Sequence, residues 1–323
     1  MATSYESFAQ TFKAALIQLH PKPLDPEYNF NAAANHIRDA AEQGAALAVL
    51  PEYHLTGWYP EDSQFTVLAQ TAYQYVSKYQ ELAKELKVNI APGTIVTVDP
   101  NSPPPGASNG TTSSAKTPSL LNIAPFISYT GELLGSYTKA NLWHPERNVL
   151  TSGPNHQPVS SEGPPVTPAN PHSVIETPLG PVGIVICWDL AFPEAFRALV
   201  RQGARLIIIP TYWTRDDLTP EARRYGPDVD LMFLKNALVT RAFENTCAIL
   251  FCNVGGPAEE GYAGLSRAVL PLVGPVEGCF DDGTPGMRIV EVDMKTVDVA
   301  EENYKIREDL ASESWHYGYS HDK

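Results

Sequence analysis

The sequence has few of the features that mark several large protein classes. Its 323 residues include only four cysteines, and no two of them form a Cys-x-x-Cys pair. This number is too small for a disulfide scaffold and gives no support for a structural zinc site. No apolar run approaches the roughly 18 residues of a membrane-spanning helix, and the N-terminus lacks the basic start and apolar stretch of a secretory signal. We therefore predict a cytoplasmic protein with free thiols and no membrane partner.

Positive charge and several catalytic signatures are also scarce. There are 23 basic and 37 acidic residues, for a net charge of -14, and the basic residues form no cluster. Such a chain is a poor candidate for binding nucleic acid. The Gly-x-Ser-x-Gly of serine hydrolases, the His-x-His and His-Glu-x-x-His of metallohydrolases, and phosphate-binding loops are all absent. The sequence therefore predicts no metal site and disfavours these enzyme classes.

What is present is an alternation of apolar strand patterns with helical patterns. Hydrophobic residues make up 43% of the chain and charged residues 19%, which is enough for a packed core. The strand and helix patterns predict an α/β fold. They comprise a strand at 12–19, helices at 27–43 and 63–87, one strand at 89–98, hairpins turning at Thr130-Gly131 and Leu179-Gly180, and proline-rich surface loops at 99–118 and 152–172.

One short segment is repeated. Residues 44–53 read GAALAVLPEY and residues 203–212 read GARLIIIPTY, and a helical pattern precedes each. A match of this length also arises by chance, because helix-Gly-Ala-strand is a common packing arrangement. Together with the alternating elements, it predicts two similar αβ halves that face each other. The copies differ at a position suited to chemistry, with Glu52 in one and Thr211 in the other.

Three polar residues stand just after apolar runs. Glu52 follows ALAVLP, Lys139 follows LLGSYT and Cys187 follows VGIVI. Ligands bind near the carboxyl ends of strands in α/β sheets. A carboxylate can take the proton of a thiol, and an ammonium can stabilise the oxyanion that forms when sulfur attacks a carbonyl. Taken singly, each residue also fits a structural role: a core cysteine, a solvated turn and a surface lysine.

In this order, the three segments resemble the nitrilase, or carbon–nitrogen hydrolase, superfamily. LAVLPEYHLTGW resembles the segment with the general-base glutamate, here Glu52. YTKANLWHPER resembles the lysine segment, here Lys139, and IVICWDLAFPEAFRAL resembles the nucleophile segment, here Cys187. The resemblance runs from about residue 12 to residue 293. It implies a four-layer α-β-β-α sandwich of two pseudo-symmetric halves, formed by residues 1–323 as a single domain with a tail from about residue 300.

The resemblance also implies further roles. Glu146, seven residues after Lys139, is expected to hold the lysine or orient the water, although it also fits a surface glutamate paired with Arg147. The backbone N–H of Trp188 is expected to donate to the oxyanion. The implied chemistry needs neither a metal nor an organic cofactor. Family members usually assemble, so a homodimer or higher homo-oligomer is expected.

The implied reaction is thiol-dependent hydrolysis of a small amide to an acid and ammonia. Cys-Trp-Asp at 187–189 resembles the amidase-type branches, whereas typical nitrilases have Cys-Trp-Glu. Nitrile hydrolysis and acyl transfer to an acceptor other than water stay open as alternatives. So does a catalytically silent binding or scaffold protein, because a fold does not fix a function.

Aromatic side chains and two short segments are the candidates for substrate binding. Residues 54–60 and 212–215, together with the proline-rich loops, are expected to select the acyl group. The aromatic residues suggest an apolar or aromatic substrate, although they also fit ordinary walls and core. The predicted substrate and oxyanion residues are Tyr53, Trp143, Trp188, Tyr212 and Trp213.

Overall fold

Two β-sheets form the centre of the structure. The computed structural model describes residues 10–100, 102, 118–153, 171–215 and 218–317. Within these residues, one sheet has seven strands in the order β13-β1-β2-β3-β5-β4, with β6 paired to β5, and the other has six in the order β12-β11-β10-β9-β8-β7. The strands are β1 (Thr11–Gln18), β2 (Leu47–Val49), β3 (Asn89–Ala91), β4 (Ile95–Val98), β5 (Leu120–Ile127), β6 (Leu133–Thr138), β7 (Ile175–Thr177), β8 (Gly180–Ile184), β9 (Leu206–Thr211), β10 (Ala248–Asn253), β11 (Arg267–Leu270), β12 (Gly274–Pro275) and β13 (Gly286–Asp293).

Helices cover the outer face of each sheet. The helices are α1 (Pro26–Glu42), α2 (Ser63–Ala69), α3 (Gln74–Leu86), α4 (Pro193–Arg201), α5 (Pro220–Tyr225), α6 (Val229–Glu244), α7 (Lys295–Tyr304) and α8 (Ile306–Ala311). Side chains alternate between the two faces of a strand. On β1, Ala15 and Ile17 therefore pack with α1 and α3, whereas Leu16 packs with the second sheet. The layers are thus α1 and α3, the first sheet, the second sheet, and α4 and α6, which confirms the predicted four-layer sandwich.

The two sheets are built in the same way. In the first, β1, β2 and β3 are parallel and are flanked by antiparallel β13 and β5. In the second, β8, β9 and β10 are parallel and are flanked by antiparallel β7 and β11. The inner faces meet closely, since Cys252 Sγ on β10 lies 3.3 Å from the carbonyl oxygen of Ile17 and 3.2 Å from that of Val49, both in the first sheet. This equivalence confirms the two pseudo-symmetric halves.

The segment predicted as one strand at 89–98 is two strands, β3 and β4. The strand is interrupted at Gly93, which has a φ of +68°. A Cβ atom at Gly93 would lie 1.9 Å from the Pro51 carbonyl oxygen. The break therefore lets this backbone pass directly against the residue that precedes Glu52.

The pattern at 63–87 is two helices and not one. Between α2 and α3, tight turns replace the helical ladder, with the N–H groups of Gln74 and Tyr75 donating to the carbonyl oxygens of Thr71 and Ala72. The buried face continues through Phe65, Tyr75 and Tyr79. The apolar periodicity thus continues across the turns between α2 and α3, and for this reason the sequence pattern does not reveal that the helix is interrupted.

The C-terminal segment continues as helix beyond the predicted core. Asp298 on α7 pairs with Arg205, and Arg307 on α8 donates to the carbonyl oxygens of Ala204 at 2.7 Å and Thr246 at 3.1 Å. Trp315 packs against the same core. These residues therefore contact their own chain. Among the helices of the described residues, none has the length and apolar character needed to cross a bilayer.

Candidate active site

Glu52 lies where the carboxyl ends of β2 and β9 meet, and its side chain is completely buried. Its backbone N–H donates to the Thr211 carbonyl oxygen at 3.3 Å, and the Tyr212 N–H donates to its Oε2 at 2.9 Å. Lys139 Nζ and Asn122 Nδ2 both donate to Oε1, each at 2.8 Å. The carboxylate is therefore held by one charged and two neutral donors from three separate segments.

Lys139 directly follows β6, and the pairing of β6 with β5 sets its position. Its backbone N–H donates to the Asn122 carbonyl oxygen at 2.9 Å. The side chain is buried, and Nζ donates to Glu52 Oε1 at 2.8 Å and to Glu146 Oε1 at 2.6 Å. Burial by itself would lower the pKa of Lys139, but the carboxylates of Glu146 and Glu52 outweigh it and raise that pKa. Lys139 is therefore a stable cation, and one of its three N–H donors is left beyond these two carboxylates.

Glu146 is fixed by a short 3-10 helix, His144–Asn148. The Trp143 N–H donates to Glu146 Oε2 at 2.7 Å, and the Glu146 N–H donates to the Trp143 carbonyl oxygen at 2.9 Å. The Tyr53 hydroxyl donates to Oε1, the same oxygen that accepts from the lysine. Glu146 is buried, whereas Arg147 is exposed. The acid thus faces the lysine and the interior.

Cys187 lies on the turn between β8 and α4. The strand ends at Ile184, and Cys187 begins a 3-10 helix, Cys187–Ala191. Its φ is +47°, in the left-handed region that residues with a side chain rarely adopt and that concentrates at functional sites. Its Sγ lies 3.9 Å from the Tyr212 carbonyl oxygen. The backbone of Tyr212 therefore contacts the cysteine through its carbonyl oxygen and the carboxylate of Glu52 through its N–H.

Asp189 stabilises this turn. Its carboxylate is fully buried and accepts from the Ile186 N–H at 2.8 Å, from the Tyr137 hydroxyl at 2.9 Å, and from the Asn141 N–H and Nδ2 at 2.9 Å and 2.8 Å. Tyr137 and Asn141 flank Lys139 in the chain. One buried carboxylate thus ties the cysteine turn to the lysine segment.

Burial changes the proton affinity of both Glu52 and Cys187. It raises the pKa of Glu52 to about 7, opposed by Lys139 and by a hydrogen bond with the Cys187 thiol. It also raises the pKa of the Cys187 thiol well above its usual value, and the nearby Glu52 carboxylate adds to that rise. At neutral pH, the sulfur is therefore protonated, while part of the Glu52 population is ionised and can accept a proton.

A cavity of about 470 Å³ opens onto Cys187 and Glu146. Its size is within the range of small-molecule sites. The Trp188 N–H lies in the first turn of the 3-10 helix, where backbone N–H groups have no partner within the helix. All five predicted substrate and oxyanion residues line the cavity: Tyr53, Trp143, Trp188, Tyr212 and Trp213.

The segment at 54–60 contributes less to the cavity than predicted. Trp58 lines the cavity. His54 does not, because it is completely buried against α3, with Nε2 2.8 Å from the Tyr79 hydroxyl. Burial lowers the pKa of His54 to about 3, so it is neutral. Of the segment at 212–215, Thr214 joins the two aromatic residues in the wall. Most of the two proline-rich loops lies outside the described residues.

Several residues of the site were not predicted. Asn122 left a signal, because it is a lone polar residue within the apolar strand LLNIAPFI. Asp189 belongs to the Cys-Trp-Asp motif, but its contacts to Tyr137 and Asn141 depend on the tertiary fold. Asp230 and Phe233 also line the cavity, and they belong to no motif that the sequence shows.

Comparison with known proteins identifies the family. Residues 13–302 match the family model described as carbon-nitrogen hydrolase. This chain belongs to the carbon-nitrogen hydrolase family. The predicted enzyme class is thereby confirmed.

Two curated relatives match about nine tenths of the length of this carbon-nitrogen hydrolase. It is 26% identical over 295 residues to a "Probable nitrilase" of Schizosaccharomyces pombe, covering 90% of this chain and 92% of that protein. It is 27% identical over 298 residues to the deaminated glutathione amidase of Bos taurus, covering 91% and 80%. The crystal structure of a Saccharomyces cerevisiae member of branch 10 of the nitrilase superfamily matches with a TM-score of 0.69 at 22% identity, covering 94% of this chain and 97% of that one. This last likeness supports the fold alone.

Proposed function

We propose that this carbon-nitrogen hydrolase cleaves a small, non-peptide amide to a carboxylic acid and ammonia through a thioester on Cys187. The observation that carries the proposal is the arrangement around Glu52. Its carboxylate accepts a hydrogen bond from the Lys139 ammonium and interacts with the Cys187 thiol. The Glu52 carboxylate, the Lys139 ammonium and the Cys187 sulfur lie together, and Cys187 lines the cavity. This set is sufficient for acyl transfer to sulfur.

In the first step, Glu52 takes the proton from Cys187 while the sulfur attacks the carbonyl carbon of the amide. The electron pair of the C=O bond moves to oxygen, which becomes an oxyanion. The remaining N–H donor of Lys139 and the Trp188 N–H stabilise this charge. Because the pKa of the thiol is raised, proton transfer accompanies the attack and no resting thiolate is needed.

In the second step, the C–N bond breaks and the nitrogen takes the proton from Glu52, leaving as ammonia. A water molecule then gives a proton to Glu52, and its oxygen adds to the thioester carbon. The C–S bond breaks, the acid is released, and Glu52 returns the proton to sulfur. Glu146 positions Lys139 by accepting a hydrogen bond from its ammonium at Oε1, and the Tyr53 hydroxyl donates to that same oxygen.

Nitrile hydrolysis is the second candidate. The sulfur would attack the nitrile carbon, giving a thioimidate that water converts to acid and ammonia. The Schizosaccharomyces pombe relative carries a nitrilase name, whereas the Bos taurus relative carries an amidase name. We place amides first because the segment reads Cys-Trp-Asp and not Cys-Trp-Glu.

We further propose that the protein is a single-domain homo-oligomer, at least a dimer. The support is an apolar face on α6, where Met232, Val239 and Phe243 are exposed and the Phe243 ring lies 4.9 Å from that of Tyr304. Exposed apolar patches mark contact surfaces between proteins. Light scattering of the protein and of Phe243→Glu tests this, with a dimer and a monomer expected; a monomeric parent protein would contradict it.

A cytoplasmic location is also proposed. All four cysteines are free thiols, which suits a reducing compartment. Cell fractionation with antibody detection tests this, and recovery in a secreted fraction would contradict it.

The reaction itself is tested by an ammonia-release screen over short and aromatic amides, carbamoyl amino acids and nitriles, with mass spectrometry of the products. Cys187→Ala should abolish turnover, whereas Cys279→Ala, the same change at a cysteine outside the cavity, should leave it intact. Reaction of Cys187 with iodoacetamide at the rate of free cysteine, with no turnover in the screen, would favour a silent scaffold. Turnover of nitriles alone would overturn the amide assignment. Acyl products formed with added amines would show that the acyl group is transferred to acceptors other than water.

A further inference from the structure

The charges that line the cavity are of one sign. Among the described lining residues, no Lys or Arg occurs, and the acids are Glu146 and Asp230. Glu146 is paired with the ammonium of Lys139. Among the described residues, no Lys or Arg pairs with the carboxylate of Asp230, so this carboxylate gives the cavity a negative end away from the reacting groups.

Asp230 lies in the first turn of α6, and one of its two oxygens lacks a partner. Oδ1 accepts from Trp213 Nε1 at 3.0 Å. Oδ2 is buried, and no described residue donates to it. A buried carboxylate oxygen without a donor is unfavourable and uncommon in native proteins. Because Asp230 also lines the cavity, its carboxylate leaves an unbalanced negative charge in the cavity wall.

The wall beside Asp230 is aromatic. The ring of Trp213 lies 5.6 Å from that of Trp188 and 5.5 Å from that of Phe233. Because Trp188 directly follows Cys187, these rings connect the carboxylate of Asp230 to the predicted nucleophile. The faces of aromatic rings attract cations, and cages of such rings bind ammonium groups.

We propose that the substrate carries a positively charged nitrogen on its acyl group, bound between the Asp230 carboxylate and the aromatic wall, with its amide at Cys187. This inference rests on the proposed amide hydrolysis and names its substrate class. The same cavity accepts neutral apolar amides less well and disfavours amides that carry a carboxylate, because their charge is repelled by Asp230 and finds no cation in the described wall.

The test uses three amides of equal chain length that differ at the far end: an ω-ammonio alkanamide, the neutral alkanamide and an ω-carboxylato alkanamide. We expect kcat/KM to fall in that order. Asp230→Asn keeps an oxygen for Trp213 Nε1 and should lower kcat/KM for the cationic amide by about ten- to hundredfold, as loss of a hydrogen bond to a charged group implies. The neutral amide should change by less than about threefold.

Asp228→Asn is the matched control, since Asp228 is an exposed residue of the same type two positions away and is paired with Arg215. It should leave all three values unchanged. Thermal melting of each variant checks that it folds. Equal kcat/KM for the cationic and neutral amides, or a parallel loss on all three in Asp230→Asn, would overturn the inference.

Calorimetry separates this inference from the proposed reaction. The Cys187→Ala protein should bind the cationic amide more tightly than the neutral one, and Asp230→Asn introduced into it should remove the difference. That binding result supports the inference even if no amide is hydrolysed. If neutral amides are hydrolysed and charge has no effect, the reaction stands and the inference fails.

Discussion

Residues 44–53 and 203–212 have the same local structure, yet they supply different groups to the site. Each begins with a glycine of positive φ, +79° at Gly44 and +101° at Gly203, that follows a helix. The next alanine donates back to that helix, and the chain continues into a strand, β2 or β9. One copy then presents the carboxylate of Glu52. The other presents backbone groups, a carbonyl at Thr211 and an N–H at Tyr212, and both bond to Glu52.

The comparison shows how a near-symmetric fold carries an asymmetric site. The second half supplies the proposed nucleophile, Cys187, from the turn after β8. The first half supplies Glu52 after β2 and Lys139 after β6. The Thr211 copy acts as a support, because its backbone orients an acid that belongs to the other half.

The largest expected effect comes from removing the acid from the first copy. Glu52→Gln should lower kcat/KM by about 10²- to 10⁴-fold, the usual contribution of a general base. Thr211→Val removes the hydroxyl at the matching position but keeps the carbonyl that contacts Glu52, so it should lower kcat/KM by less than about threefold. Steady-state ammonia release measures both. Equal losses in the two variants would mean that the copies do not differ in the way described.

A second prediction concerns the pH dependence of kcat/KM. Glu52 must be ionised to accept a proton, and burial raises its pKa to about 7. Activity should therefore rise with pH through about 7 and then level off. A midpoint near the ordinary glutamate value of about 4.3 would contradict the burial of the working base.

The same profile sharpens the role of Asn122. Asn122→Leu removes a hydrogen bond to the ionised form of Glu52, so the midpoint should move upward by about one pH unit. Thr211→Val should not move it. Asn236→Leu, the same change on the exposed face of α6, is the control; an unmoved midpoint in Asn122→Leu would show that this contact does not tune the acid.

The smallest effect is expected at the two glycines. A Cβ atom added at Gly44 or Gly203 meets no atom within 4 Å, so an alanine is opposed only by the positive φ. Each substitution should lower the free energy of unfolding by about 1 kcal/mol, with unchanged activity. Urea unfolding measures this. A loss in only one variant would indicate that the two turns are not equivalent.

Most of the elements and the proposed catalytic residues could be predicted from the sequence because both depend on local patterns. Glu52, Lys139 and Cys187 each follow an apolar run, and hydrophobic periodicity defines such runs. The interruption of the strand at Gly93 was not predicted, because the close contact there is with the backbone of Pro51, which is distant in the sequence. The contacts of Asp189 and Asp230 were not predicted for a similar reason: their partners, such as Asn141 and Trp213, become neighbours only when the chain folds.

The central claim, that Glu52 takes the proton of Cys187, is tested most directly by following iodoacetamide alkylation of Cys187 across pH by mass spectrometry. In the parent protein, the rate should rise with a midpoint near pH 7, following ionisation of Glu52. In Glu52→Gln, it should fall by about 10²-fold or more at neutral pH and increase only at alkaline pH, where the thiol itself ionises. The same rate and the same pH profile in both proteins would contradict the account.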